Sequence, residues 1–268
     1  MTTPDAPMLL DAQKITDEWS VLPAFFPIPG MGGLAVNSFL LKGPEPVLVD
    51  TGLACLGGQF MDALEAEIDL DDLRWIWLSH TDADHIGNLA GILARAPNAR
   101  VVTSFLGMGK MGMLGHDVSR VHLLQPGDHL EIAGRRLVPL RPPYYDAPET
   151  IGFVDTGSKA FFAADSFGAL LPGPADDVSA VEPDVLRDGL VTWASIDAPW
   201  LASADRHALG RTLGALDAID PSIVMSGHLP VMHGDIRSLT RIVHDSWGNG
   251  PADGIDPLAA ETVAATFG

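Results

Sequence analysis

Two histidines and two aspartates lie within one short segment, Ser-His-Thr-Asp-Ala-Asp-His, at residues 79–85. Imidazole nitrogens and carboxylate oxygens are common ligands of divalent transition metals in proteins. His80 and Asp82 alternate, so their side chains point the same way in an extended chain. Asp84 and His85 follow where the chain turns, and they can face the same centre from another side. The spacing therefore predicts two metal sub-sites that lie side by side.

The segments on either side of this cluster place it at an edge of the fold. A short apolar run, Trp75 to Leu78, reads as a β-strand, and Leu89 to Ala96 reads as a helix. A turn between a strand and a helix is accessible to a ligand. The alternative interpretation is a solvated polar turn that caps the next helix, with Asp84 as the N-cap residue.

Three later residues also stand beside predicted strands. Asp165 follows an apolar run at 161–164, His228 follows a second run at 223–227, and Asp146 comes just before a third. A hydrophobic strand that delivers one polar group to its end is a usual way for a sheet to present a site. Each residue also has an ordinary interpretation, as a turn carboxylate for Asp146 and Asp165 or as a satisfied histidine for His228.

Composition and charge restrict the class of protein. The 268 residues are 47% hydrophobic with a mean hydropathy of +0.19, enough to bury a sizeable core. A net charge of −19 and a pI near 4.5 argue against nucleic acid or an anionic membrane as a partner.

No signal sequence and no transmembrane run is recognisable, so a soluble cytoplasmic protein is expected. The single cysteine, Cys55, excludes an internal disulfide and is expected to be a buried small apolar residue.

The predicted elements divide the chain into segments. Residues 1–24 are expected to be an N-terminal extension, 25–247 the main domain and 248–268 a C-terminal tail. Within the main domain, a series of strands followed by a helix occurs twice, and the halves meet near residue 130. Prolines are expected to interrupt Ala24 to Gly30, and the glycine- and methionine-rich stretch from Gly107 to Gly115 is expected to be a mobile loop beside the site.

These motifs, in this order, resemble the metallo-β-lactamase superfamily. The resemblance rests on the Val-Asp-Thr-Gly run that ends at Gly52, the cluster at 80–85, Asp165 and His228. It covers residues from about 30 to 230. It implies an αββα sandwich, in the α/β class of folds, with a two-metal site at one edge of two sheets.

One departure from the superfamily pattern points to a subgroup. Most members have His-x-His-x-Asp-His, whereas Asp82 here replaces the second histidine. The flavodiiron and related oxygen-binding diiron proteins carry a carboxylate there, in His-x-Glu-x-Asp-His. Residues 146–150 resemble their His-Trp-Pro-Asp-Ser, and residues 162–168 resemble their Phe-Ser-Asn-Asp-Ala-Phe-Gly. Asp146 then stands where that subgroup has a histidine ligand.

The resemblance implies a ligand for each metal position. One sub-site would contain His80, Asp82 and Asp146, the other would contain Asp84, His85 and His228, and Asp165 would bridge them. Asp84 is also expected to take part in catalysis. A site that is rich in carboxylates and poor in imidazole suits iron or manganese better than zinc. The expected cofactors are therefore two metal ions, with iron favoured and zinc or manganese as alternatives.

Three functions follow from this interpretation. The first is a diiron protein that binds, reduces or senses dioxygen or nitric oxide. The second is a metal-dependent hydrolase of an ester, lactone, thioester or phosphoester, the commonest chemistry of the superfamily. The third is a binding module whose metal site has decayed.

The expected partners follow from the first function. The flavodoxin-like domain of the flavodiiron proteins would begin after about residue 250, and the sequence ends at Gly268. We therefore expect no flavin site in this chain and a separate electron-donor protein. Beyond that donor, the expectation is a small-molecule substrate, or dioxygen or nitric oxide, with no nucleic acid and no membrane. A homodimer is compatible with the sequence.

Overall fold

The computed structural model describes residues 4–124 and 127–248, and it contains two β-sheets. The strands of the first sheet are β1 (Met8–Leu9), β2 (Gln13–Lys14), β3 (Trp19–Ile28), β4 (Gly32–Leu41), β5 (Val47–Val49), β6 (Trp75–Trp77), β7 (Arg100–Thr103) and β8 (Val121–Leu123). Those of the second are β9 (Leu130–Ile132), β10 (Arg135–Leu140), β11 (Gly152–Asp155), β12 (Ala160–Phe162), β13 (Ile223–Ser226) and β14 (Leu229–His233). The strand orders are β1-β3-β4-β5-β6-β7-β8, with β2 also paired to β3, and β14-β13-β12-β11-β10-β9.

Helices cover the outer faces of both sheets. They are α1 (Gly57–Glu67), α2 (Ala83–Ile86), α3 (Leu89–Arg95), α4 (Phe105–Met113), α5 (Pro183–Asp197), α6 (Arg206–Ile219) and α7 (Arg237–Gly248). Short 3₁₀ turns occur at Ala54–Leu56, Val178–Ala180 and Pro199–Ser203. The result is the predicted αββα sandwich, and the two sheets divide where the sequence predicts, between Leu123 and Leu130.

Three hydrophobic clusters hold the layers together. The central cluster lies between the sheets, where Trp77 and Phe39 of the first sheet meet Phe153 and Phe162 of the second. A second cluster packs α1, α3 and α4 on the first sheet, and a third packs α5, α6 and α7 on the second. The centre of each sheet is therefore buried on both faces, which explains why β5, β6, β12 and β13 are short, largely apolar runs.

The N-terminal residues belong to the first sheet. β3 pairs with β4 in antiparallel register from Trp19–Leu41 to Ile28–Gly32, and it passes through Pro23 and Pro27. The prediction of an interrupted chain was wrong for residues 24–28, because each proline removes only one backbone donor and the remaining pairs keep the ladder, but the strand does end before Pro29, where a turn begins. The expected boundary between residues 24 and 25 falls inside this strand.

Two local predictions were also wrong. The stretch expected to be a loop forms α4, because Ser104 caps the helix by accepting from the backbone N–H of Gly107, and Met111 is buried beneath it. Cys55 is exposed, since it lies in a 3₁₀ turn whose inward residue is Leu56.

The predicted last helix is confirmed as α7, which ends at Gly248. The rest of the predicted C-terminal tail, 249–268, lies outside the described residues. Within residues 4–124 and 127–248, no helix combines the length and hydrophobicity that a membrane span requires.

The aromatic contacts of Phe153 provide a test of the central layer. Its ring centroid lies 4.8 Å from that of Trp77 and 5.3 Å from that of Phe162. We expect Phe153→Ala to lower the free energy of unfolding by about 3–5 kcal/mol, because it leaves a cavity between the sheets. Phe105→Ala is the control, since Phe105 is 66% exposed and its loss should change stability by at most about 0.5 kcal/mol. Denaturant titration at matched metal content measures both, and equal effects would contradict the packing described.

Candidate metal centre

The predicted site residues meet at one edge of the sandwich. In the first sheet, β5 and β6 run parallel, and they lead directly to Asp50 and to Ser79-His80. In the second sheet, β12 and β13 run parallel, and the chain beyond them carries Asp165 and His228. Because parallel strands end at the same edge, each sheet delivers polar groups to one place, and the two edges face each other.

The turn after β6 brings the remaining residues of the cluster inward. Asp82 has an extended backbone and immediately precedes α2, but its side chain makes no capping hydrogen bond. Asp84 lies in the first turn of α2 and is therefore not the N-cap residue, contrary to the alternative interpretation of this segment. Thr51 holds the turn in place, since its backbone N–H and its hydroxyl both donate to the carbonyl oxygen of His85, at 2.7 and 2.8 Å.

Asp165 lies at the centre of the cluster, and its two oxygens face different histidines. Its Oδ2 is 3.2 Å from Nε2 of His80, and its Oδ1 is 3.1 Å from Nε2 of His85. Nε2 of His228 is 3.6 Å from the same Oδ1. A carboxylate whose two oxygens point at two separate groups of ligands has the position of a bridging ligand.

The other predicted residues fall into groups around this centre. Asp84 Oδ2 is 3.6 Å from Nε2 of His85 and 3.4 Å from Nε2 of His228. On the other side, Asp146 Oδ1 is 4.0 Å from Nε2 of His80. Three sets have all their ligand atoms within 4.8 Å of one another: His80 with Asp82 and Asp146, Asp84 with His85 and His228, and His80 with His85 and Asp165. The fold therefore brings together all seven residues that the sequence predicts.

Several atoms of this cluster are buried without a hydrogen bond. They are Nε2 of His80 and of His85, and Oδ1 of Asp146 and of Asp165, none of which has a partner among the described residues. The imidazole nitrogens and the Asp165 oxygens lie close together, but their angles are not those of hydrogen bonds. Leaving a buried polar atom unsatisfied costs about 1–3 kcal/mol. Cations between these atoms would satisfy them, so the donor set fits metal ions.

A second set of contacts orients the histidines. Nδ1 of His85 lies 2.9 Å from Oδ2 of Asp50, and Nδ1 of His228 lies 2.8 Å from the carbonyl oxygen of Ala35. Ser79 Oγ donates to Asp50 Oδ2 at 2.7 Å and lies 2.9 Å from Nδ1 of His80. When Nδ1 carries the proton of a histidine, the lone pair of Nε2 is free to face a metal.

Sequence reasoning did not single out Asp50 and Ser79 as site residues. Their signal was present, because Asp50 belongs to the Val-Asp-Thr-Gly run and Ser79 directly precedes the cluster. What the sequence did not show is that β5 and β6 are neighbours. That pairing places the backbone N–H and the hydroxyl of Ser79 on the two oxygens of Asp50.

Gly227 leaves the space that the site needs. A Cβ atom at this position would lie 3.0 Å from Cε1 of His85 and 3.3 Å from Oδ1 of Asp165. Any other residue would therefore push against two of the predicted ligands at once.

The electrostatics of the cluster are dominated by opposite charges in a buried place. Burial alone would raise the pKa of Asp165, but the facing imidazoles of His80, His85 and His228 hold it well below its usual range. Burial alone would lower the pKa of His80, but the charges of Asp165 and Asp146 raise it to about 9. The pKa of His85 is raised in the same way, chiefly by Asp165 and Asp84. Without metal the site thus carries protons on imidazoles, and these protons must leave when a metal binds.

Two sheets with a histidine and carboxylate cluster at their common edge, enclosed by helices on both sides, define a protein of the metallo-β-lactamase type. The chain belongs to the metallo-β-lactamase superfamily, because the model of that family matches residues 31–228.

Relatives of known name connect the chain with the flavodiiron proteins. A protein of Thermosynechococcus vestitus, provisionally named diflavin flavoprotein A 1, is 29% identical over 202 residues, which cover 75% of this chain. The anaerobic nitric oxide reductase flavorubredoxin of Pectobacterium atrosepticum is 29% identical over 138 residues, or 51% of this chain. The chain spans only 34% and 27% of the length of these two relatives.

Solved structures show the same fold. The rubredoxin oxygen:oxidoreductase of Desulfovibrio gigas superposes with a TM-score of 0.80 at 17% identity, over 90% of this chain and 63% of that one. The flavodiiron protein of Giardia intestinalis gives a TM-score of 0.77 at 15% identity, over 90% of this chain and 60% of that one. The resemblance to the flavodiiron group, recognised in the sequence, is thus confirmed by relatives and by structural neighbours.

The central position of Asp165 leads to a prediction about metal content. A bridging carboxylate is lost to both metal positions at once, whereas Asp146 faces only one. We expect Asp165→Ala to remove most of the bound metal and to lower the melting temperature, and Asp146→Ala to remove at most one equivalent. Elemental analysis of the two purified variants measures this, and equal metal content in both would contradict the bridging position.

The contact between Asp50 and His85 leads to a second prediction. Asp50→Asn keeps the shape of the side chain but removes the charge that orients the imidazole. We expect metal affinity to fall by about 10- to 100-fold, the usual cost of losing such a partner. Asp62→Asn, an exposed substitution on α1, should leave affinity unchanged. Competition with a chelator of known affinity measures both variants, and indistinguishable affinities would show that Asp50 does not support the site.

Proposed function

We propose that this chain holds a diiron centre that reduces dioxygen or nitric oxide. The observation that carries the proposal is the donor set of one sub-site, in which His80 is the only imidazole beside the carboxylates of Asp82 and Asp146. The other sub-site would contain Asp84, His85 and His228, and Asp165 would bridge the two.

The type of donor favours iron. Carboxylates are hard anionic ligands that suit iron or manganese. Imidazole suits zinc as well as iron, so it does not separate the two metals. Anionic ligands also stabilise the higher oxidation state of iron more than neutral imidazole does. Zinc has no second oxidation state to use in electron transfer. Carboxylates at positions 82 and 146, in place of histidines, therefore favour a metal ion that changes its oxidation state.

The names of the relatives point the same way. One relative is named as a nitric oxide reductase and one structural neighbour as an oxygen oxidoreductase. The alternative function, hydrolysis, has less support, because a zinc hydrolase of this fold would usually have three histidines in the first sub-site. A decayed binding module has less support too, because all seven side chains converge and several keep buried atoms without hydrogen bonds.

Several side chains have a role in the proposed reaction at the metal centre. The bound iron pair would supply electrons to a small oxidant that binds between the metal positions. Asp165 keeps those positions close together, and Asp50 and Ser79 keep the imidazoles of His85 and His80 aimed at them. Asp84 and Asp146 are partly accessible, with 29% and 18% of their side chains exposed, so the substrate enters from their side. We assign catalytic participation to Asp84 on this ground.

The electrons come from another redox group. In the proposed reaction the metal pair must be reduced again after each turnover. We therefore propose an electron donor in a separate protein, and a homodimer as the assembly to be tested first by light scattering.

A competition between metals tests the proposal. Metal-free protein is offered equal amounts of ferrous iron and zinc without oxygen, and the bound metals are measured. We expect iron in a larger share than a site of generic ligands would take, since the order of affinities otherwise favours zinc. Exposure of the iron-loaded protein to dioxygen should then change its visible spectrum.

The double variant Asp82→His, Asp146→His is the matched comparison. It restores imidazole donors at both positions and should move the preference towards zinc, with a gain in hydrolysis of a model ester. If the unmodified protein takes zinc at both positions and hydrolyses a lactone or ester rapidly, the redox function is wrong and the hydrolase function is right.

A further inference from the structure

A buried ion pair joins helix α4 to the turn that carries the predicted ligands. Nζ of Lys110, on α4, is 2.6 Å from Oε1 of Glu149, whose side chain is fully buried. The hydroxyl of Thr81 donates to the same oxygen at 3.1 Å. A continuous series of contacts therefore runs from α4 through Glu149 to the turn after β6, and none of its members is one of the seven predicted ligands.

The place of Thr81 in the chain connects this series to the metal centre. Thr81 stands between His80 and Asp82, so a contact that holds Thr81 limits the movement of both neighbours. These two residues and Asp146 form one of the groups whose ligand atoms all lie within 4.8 Å of one another. That group is the first sub-site of the proposed centre.

Glu149 also fixes the loop that carries Asp146. The backbone N–H of Thr150 donates to the carbonyl oxygen of Ala147 at 3.1 Å, which closes the chain between the two acidic residues into a turn. On the helix side, the hydroxyl of Ser104 donates to the carbonyl oxygen of Glu149 at 3.0 Å. Residue 149 is therefore held by α4 through its side chain and through its backbone.

A further hydrogen bond fastens the two segments to each other. The backbone N–H of Ile151 donates to the carbonyl oxygen of Ser79 at 3.0 Å. This contact and the one between Thr81 and Glu149 lie on either side of His80 in the sequence. The segments that supply the first sub-site are thus joined at two points, with a predicted ligand between them.

Stability alone does not explain this ion pair. A buried ion pair is often no more stabilising than apolar side chains of the same size, because both charges must leave water. Here Lys110 and Thr81 both contact Oε1, and Oε2 of Glu149 is buried without a hydrogen bond among the described residues, which adds a further cost. The position that the pair gives to its neighbours does explain it.

We propose that Glu149, held by Lys110, is a positioning residue that sets the geometry and thereby the metal affinity of the first sub-site. The inference rests on the proposed two-metal centre, but not on the identity of the metals or on the reaction. The second sub-site is oriented by other contacts, those of His85 with Asp50 and of His228 with the backbone of β4. Its affinity should therefore not depend on Glu149.

The substitution Thr81→Val tests this role, because it removes the hydroxyl that reaches Glu149 and keeps the shape of the side chain. Thr81→Ser is the matched variant, since it keeps the hydroxyl. Asp155→Asn is the control for stability. Asp155 is also fully buried and lies 2.9 Å from a cation, that of Arg135, but it ends β11, which runs antiparallel to β12 and so ends at the opposite edge of the sandwich.

The measurement is the zinc affinity of metal-free protein, in competition with a chelator of known affinity. Loss of a group that supports a metal ligand typically costs about 10- to 100-fold in affinity. We expect Thr81→Val to lower one of the two affinities by about 10-fold or more and to leave the other unchanged, whereas Thr81→Ser should stay close to the unmodified protein. Asp155→Asn should lower the melting temperature and change neither affinity.

Two further variants identify the sub-site and the source of the effect. Asp146→Ala removes a ligand of the first sub-site, so adding Thr81→Val to it should not weaken the metal that remains. Lys110→Met acts on Glu149 from the helix and should weaken the same affinity as Thr81→Val. Because 37% of the Lys110 side chain is exposed, this variant decides the question if Thr81→Val does not fold.

Three results would overturn the inference. The first is that Thr81→Val, or Lys110→Met in its place, leaves both affinities unchanged. The second is an equal loss at both metal positions, which would show a general loosening of the structure and not the positioning of one sub-site. The third is that the unmodified protein binds fewer than two zinc ions, in which case the proposed centre itself has failed and the inference fails with it.

Discussion

The structure depends on one buried carboxylate, that of Asp165, which faces the imidazoles of three histidines. An ionised carboxylate without partners would cost several kcal/mol in this interior. It is stable only because α2 and β6 bring His85 and His80 from one sheet while the end of β13 brings His228 from the other. The chain around Asp165 is itself unusual, since Ala164 and Phe167 have left-handed backbone angles, with φ of 46° and 69°. Such conformations persist when the surrounding structure holds them, and they often occur at functional sites.

The same arrangement explains the acidic character of the centre. Four aspartates and three histidines lie close together, and Asp165 and the three histidines are buried, so the charges of the aspartates are tolerable only in the presence of cations. Protons supply those cations in the metal-free protein, as the raised pKa values of His80 and His85 show. Divalent ions replace them in the proposed function, and Asp50 and Ser79 hold the imidazoles in the orientation that metal binding needs.

The substrate side of the centre is formed by different parts of the chain. The loop that carries Asp146 contacts the turn after α5, since Nε1 of Trp200 donates to the carbonyl oxygen of Tyr145 at 2.8 Å. Strand ends thus lead to most of the predicted ligands and a loop supplies Asp146, a division that is typical of sites on layered folds.

Much of the candidate site could be predicted from the sequence, because strand ends and their polar residues are local features. Short apolar runs located β6 and β13, and the residue types after them identified His80, Asp82, Asp84, His85 and His228. The division into two halves near residue 130 also followed from the order of strands and helices. Local rules failed at Pro23 and Pro27, where pairing with β4 outweighs two missing donors, and at Ser104, whose capping role converts a glycine-rich stretch into α4.

The sequence by itself determined the types of ligand, their order and their likeness to one family, because these depend on residues close together in the chain. Only the tertiary structure decided which strands are neighbours, and therefore that Asp50 supports His85 and that Gly227 leaves room beside His85 and Asp165. Asp50 and Gly227 lie 35 and 142 positions from His85, as the difference of their numbers shows. Contacts over such distances arise from strand pairing and from the packing of the two sheets, and no local pattern of residues records them.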